Sequence, residues 1–144
     1  MRRPSASIVV DAAVLIVAAI GRGSEPLLAV ARQRALLATD RAVQESTRRV
    51  SLGMKRPDLL PILARLAEVV IVTPQLLLEP LLDEASRCLR LAPPSRNGST
   101  SDAHLLALAW EVEADIWSTD RDFAGAGVAT WSTANLMRAL ALAG

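Results

Sequence analysis

A chain of 144 residues is long enough to bury one core and too short for two, so residues 1–144 are read as a single domain. An apolar share of 51% against 22% charged residues excludes an unfolded polar chain, and the lone Cys88 excludes an internal disulfide, as expected in a reducing compartment. The net charge is +1 and all but one of the sixteen basic residues are arginine, which permits a nucleic-acid partner without arguing for one.

Arg2 and Arg3, followed by the apolar run Ile8 to Ile20, imitate a secretion signal. Asp11 inside the run is costly for insertion, no small-residue cleavage site follows, and the run is too short to span a bilayer. A cytoplasmic protein with no membrane segment is the expectation.

Ser7 to Val10 is a short β-branched strand ending at Asp11, and Ala12 to Ile20 reads as a helix stopped by Gly21 and Gly23. Pro26 sits in the first turn of a second helical segment that continues through Leu27, Leu28 and Val30 to about Ala38. Thr39 or Asp40 caps a further helix ending near Arg56 and Pro57. A short helix over Leu59 to Ala67 precedes a second strand, Val69 to Thr73, whose continuous apolarity suits a buried parallel strand.

Gln75 to Leu91 is helical with Pro80 near its start, and Pro93 to Ser101 is a polar loop. Ser101 caps a helix over Asp102 to Glu113. Then follow a strand at Ile116 to Ser118, a turn at Gly125 to Gly127, a strand at Val128 to Trp131 and a final helix at Thr133 to Ala143. Strands alternating with helices predict a three-layer α/β/α sandwich around a mostly parallel sheet, with ligands bound beyond the carboxyl ends of the strands.

The acidic residues carry the chemistry. Asp11 closes one strand, and Asp120 and Asp122 follow another, so all three fall at the same rim of a parallel sheet. Asp102 opens a helix, where the dipole favours its charge. Plain structural roles compete: Asp102 beside Ser101 also suits a cap, and Asp120 with Asp122 also suits a turn. Glu45, with Arg41 and Arg49 one helical turn away on either side, reads as an exposed ion-pair partner. Asp11 is the hardest to explain structurally, because an acid closing a buried strand must find a cation, a donor or water.

The segments VVDAAVLI, DRAVQES, SDAHLLALAWEVEADIWSTDRDF and GAGVATWST, in this order and across nearly the whole chain, resemble the signature segments of PIN-domain nucleases, including toxins of the VapC type. The resemblance implies that Asp11, Glu45, Asp102 and Asp120 form an acidic quartet, with Asp122 a fifth member and Ser118 in support. Asp11, Asp102 and Asp120 would hold Mg²⁺ or Mn²⁺, with Glu45 and Asp122 orienting metal-bound water or a second ion. An all-oxygen donor set suits these hard cations. The implied substrate is single-stranded RNA, with Arg121 and Arg96 as candidate phosphate contacts, and the implied partners are a small antitoxin protein and a second copy of the chain. The Leu-rich segments around Leu27 and Leu76 are candidates for such contacts.

One departure stands out. Ala13 occupies a position where the family often carries Asn, Ser or Thr, which keeps open a nuclease-like module that binds RNA or protein without cutting. A receiver-type signalling domain is a third reading, but it expects a lysine late in the chain and Lys55 is in the wrong half.

Overall fold

The computed structural model describes residues 2–21, 23–91, 102–119, 123 and 126–143. Five parallel strands are joined in the order β3-β2-β1-β4-β5: β1 (Ser7–Val10), β2 (Ala35–Thr39), β3 (Ile71–Thr73), β4 (Asp115–Trp117) and β5 (Thr130–Trp131). Seven α-helices are described: α1 (Ala12–Ala19), α2 (Ser24–Ala31), α3 (Asp40–Arg48), α4 (Leu60–Ala67), α5 (Glu79–Leu91), α6 (Ala103–Val112) and α7 (Thr133–Ala143). The expected α/β/α sandwich is the observed one.

Alternation along the strands builds the three layers. Ile8 and Val10 of β1, Leu36 and Ala38 of β2 and Trp117 of β4 face a core shared with α1, α2, α4 and α7. Val9, Leu37 and Ile116, one residue out of phase, face a second core shared with α5 and α6. β1 is central, pairing with β2 on one side through Val9↔Leu37 and with β4 on the other through Val9↔Ile116. The strand order therefore reverses direction at β1, and a crevice opens there beyond the strand ends.

The main correction concerns β2. The stretch Ala35–Thr39 is a strand where the sequence reading continues a helix to Ala38. Alanine and leucine favour helix, and a short apolar run carries no period that separates strand from helix. Pairing with β1 and β3 decides it. Gln33 and Arg34 both donate their N–H to Val30 O, ending α2 without the usual glycine or proline.

Smaller differences follow local geometry. The helix after Thr39 passes at Arg49–Gly53 into a π-helical turn, and the short α4 is preceded by a 3₁₀ turn at Pro57–Leu59. A 3₁₀ turn at Gln75–Leu78 likewise precedes α5. The last strand is shorter than Val128 to Trp131. Gly21, at φ 98°, and Gly23, where a Cβ would stand 2.9 Å from Val17 Cγ1, let α1 fold back into α2. The loop from Pro93 to Ser101, including the proposed Ser101 cap, lies outside the described residues. Among the described residues no single helix is long and apolar enough to cross a membrane.

Candidate active site

Asp11 and Ser118 each follow directly on a paired strand segment. Asp11 N–H donates to Trp117 O at 3.2 Å and Ser118 N–H to Trp131 O at 3.1 Å, so both side chains leave the sheet at the crevice where strand order reverses. The Asp11 carboxylate is 4% exposed. Its Oδ1 accepts the Val14 N–H at 3.0 Å as the cap of α1, and its Oδ2 accepts the Ser118 hydroxyl at 2.5 Å. The donors that a strand-closing acid needs are thus found, and they fix its rotamer.

Glu45 comes from the middle of α3. Thr39, the last residue of β2, starts that helix: its Oγ1 accepts the Ala42 N–H at 3.0 Å. Glu45 is half-buried and makes no ion pair with Arg41 or Arg49 among the described residues, against the reading of an exposed ion-pair partner. Asp102 is buried at the start of α6, and its side chain makes no capping hydrogen bond to that helix. The simple cap role is thereby removed.

These three carboxylates line one cavity of about 200 Å³, with Ala12, Ala13, Arg49, His104 and Leu105 completing the described wall. Residues 11, 45 and 102 are far apart in the sequence, and β1, α3 and α6 bring them to the same rim. Asp120 and Asp122, with Arg121 and Arg96, lie outside the described residues. Among the described residues, no three His, Cys, Asp or Glu side chains stand close enough to hold an ion together. The donors that share the cavity are nonetheless hard oxygens, the chemistry that suits Mg²⁺ or Mn²⁺.

Sequence reasoning missed His104 in this region, and it offered Thr39 only as a helix cap, a role that Thr39 does fill. His104 is 1% exposed, and its Nδ1 lies 2.6 Å from Thr39 Oγ1. Burial first, and the charge of Arg41 second, push its pKa down to about 4, with Asp40 opposing them weakly. The only signal was position, since His104 stands two residues after Asp102 on an otherwise apolar helix.

Asp115 is a buried acid of another kind. It begins β4 at the opposite end of the sheet, where its carboxylate accepts from Trp131 Nε1 at 2.9 Å, Ser5 N at 3.0 Å and Arg2 Nη2 at 3.2 Å. Its donors are all supplied from within the chain, and it lines no part of the carboxylate cavity.

No curated protein matches the chain closely enough to count as a relative. The family model described as the PIN domain matches residues 9–141, a span that runs from within β1 to within α7 and includes each of the candidate acids. The chain belongs to the PIN-domain family, whose members are generally nucleases.

Proposed function

We propose that the chain is a metal-dependent endoribonuclease that hydrolyses phosphodiester bonds of single-stranded RNA. One observation carries this reading: Asp11, Glu45 and Asp102, from three separate elements, line one cavity at the rim where the strand order reverses. Asp11, Asp102 and Asp120 would hold Mg²⁺ or Mn²⁺, with Glu45 and Asp122 beside them. When bound, such a cation lowers the pKa of a water and offsets the charge of a phosphodiester under attack. The protein's own part is to orient the acids: Val14 N–H and the Ser118 hydroxyl do so for Asp11. Arg49, in the cavity wall, joins Arg121 and Arg96 as a candidate contact for the substrate phosphates.

The proposed partners are a small antitoxin protein and a second copy of the chain. Leu27 is core at 0% exposure and serves neither. Leu76 and Leu77, at 71% and 69%, stand out in solvent beside the edge strand β3, whose Ile71 is 60% exposed. An apolar surface of this kind is what a protein partner covers.

The test is cleavage of an end-labelled single-stranded RNA by purified protein. Cleavage should stop with EDTA and return with Mg²⁺ or Mn²⁺. Asp11→Asn and Asp120→Asn proteins prepared identically should lose the rate by orders of magnitude. Equal degradation by all three would assign the activity to a contaminant. A second reading, an RNA-binding module that does not cut, is favoured by Ala13, which puts a methyl group in the cavity wall where relatives often carry a polar side chain. Binding of RNA by the wild type without cleavage under any of these ions would select it.

A further inference from the structure

His104 is the only histidine in the chain, and the hydrogen bonds around it decide which nitrogen carries the proton. Thr39 is fully buried, and its Oγ1 already accepts the Ala42 N–H. The threonine hydroxyl has one proton to give, and the only acceptor within reach among the described residues is His104 Nδ1, at 2.6 Å. A buried hydroxyl proton is rarely left unpaired, so Thr39 donates to Nδ1 and the imidazole proton sits on Nε2. That Nε2 is shut away from solvent and has no partner. The residue nonetheless forms part of the wall of the carboxylate cavity.

A buried N–H without an acceptor is costly, so an acceptor that reaches it gains most of that cost back. Three carboxylates share the cavity with His104. Asp11 already accepts from Val14 and Ser118, and Asp102 is engaged in a further contact. The Glu45 carboxylate makes no hydrogen bond or ion pair among the described residues. It also rides on α3, the helix whose first turn is fixed by the same Thr39 hydroxyl.

We propose that His104 is a positioning residue for Glu45: on uptake of a divalent cation the Glu45 carboxylate turns inward and accepts the Nε2–H, completing a chain Thr39–His104–Glu45. The proposal rests on the reading of the cavity as a cation site. A neutral donor suits this place better than a lysine or arginine would, because it orients a carboxylate without adding a positive charge beside the ion. The chain also ties the end of β2, the start of α6 and the middle of α3 together, so that the acid with the longest side chain of the three is held in one rotamer.

The experiment uses ¹⁵N-histidine-labelled protein free of any polyhistidine tag, so that the single imidazole signal belongs to His104. In EDTA the spectrum should show a bare Nδ1 and a protonated Nε2. Adding Mg²⁺ should move the Nε2–H proton downfield and slow its exchange with water, and in Glu45→Ala that response should vanish even at saturating Mg²⁺. His104→Asn keeps a partner for Thr39 but places nothing at Nε2, and should weaken Mg²⁺ binding, followed by thermal melts, about tenfold or more. His104→Gln, whose amide N–H reaches toward the Nε2 position, should recover part of the loss. A proton on Nδ1 overturns the proposal, and so does an Nε2–H signal indifferent to Mg²⁺ while Mg²⁺ still raises the melting temperature; in the second case the cation site survives. If Mg²⁺ changes neither signal nor melting temperature, the cation reading falls and the pairing falls with it.

Discussion

Ser118 Oγ donates to Asp11 Oδ2 at 2.5 Å, joining the carboxyl ends of β4 and β1, two strands that are neighbours in space and more than a hundred residues apart in sequence. The bond is buried, with Ser118 2% and Asp11 4% exposed, so it acts in a low-dielectric setting. Ser118→Ala is expected to cost about 1–3 kcal/mol of stability and to lower RNA cleavage about 10- to 100-fold, because Asp11 loses the donor that orients it. Urea unfolding and single-turnover cleavage measure the two effects. Wild-type cleavage in the variant would leave Ser118 a purely structural residue.

Metal linkage gives the second expectation. A cation that binds the folded protein alone stabilises it by about 2.7 kcal/mol at a hundredfold excess over its Kd, which raises the melting temperature by several degrees in a chain of this size. Millimolar Mg²⁺ or Mn²⁺ should produce that rise in wild type and much less of it in Asp11→Asn. A melting temperature unmoved by both ions would count against a cation at this rim.

Much of this arrangement was legible in the residues themselves. Asp11 after a β-branched strand, and the final strand–turn–helix, announced a parallel sheet with acids at one rim, because burial on both faces leaves an unbroken apolar run and a charge only at its end. β2 was not legible, since Ala-Leu-Leu-Ala carries helical propensity and only its pairing with β1 and β3 makes it a strand. Glu45 misled for a related reason: spacing along α3 put it between two arginines, but spacing says nothing of which neighbour the helix faces. The contact between His104 and Thr39 left no pattern, because it depends on how α6 crosses the end of β2. Asp120 and Asp122 lie outside the described residues.

Glu45 therefore has a sharp test. Glu45→Gln removes a charge that has no ion-pair partner among the described residues, so stability should change by less than about 0.5 kcal/mol. Cleavage should fall by orders of magnitude if the carboxylate belongs to the reacting centre. A fully active variant would return Glu45 to a bystander's place on α3.

Asp115 should behave in the opposite way. Asp115→Ala strips the acceptor from Trp131 Nε1 and Ser5 N, leaving two donors at the closed end of the sheet without a partner. The expected cost is roughly 2–4 kcal/mol, seen as a lowered denaturant midpoint. Protein that remains folded at low temperature should still cleave RNA, because the network sits at the far end of β4 from Ser118. Loss of activity with unchanged stability would contradict this division between a structural and a reacting acid.

The last expectation concerns pH and follows from the depressed pKa of His104. The unfolded chain takes up the imidazole proton near its ordinary value of about 6.5, whereas the folded protein resists it down to about 4. Between those values the unfolded state binds more protons than the native one, so stability rises with pH across the interval. His104 thus contributes nothing against folding above pH 6.5, and stability is lost as the pH falls from there towards 4, by at most about 3 kcal/mol. Carboxylates titrate near the lower end of the same range, so the informative quantity is the difference between two profiles. Denaturant midpoints of wild type and His104→Asn, measured in EDTA from pH 4 to 7.5, should diverge in slope inside the interval and run parallel above it. Parallel profiles throughout would mean that the imidazole is free to take its proton in the folded state, and that the buried setting beside Thr39 does not hold it neutral.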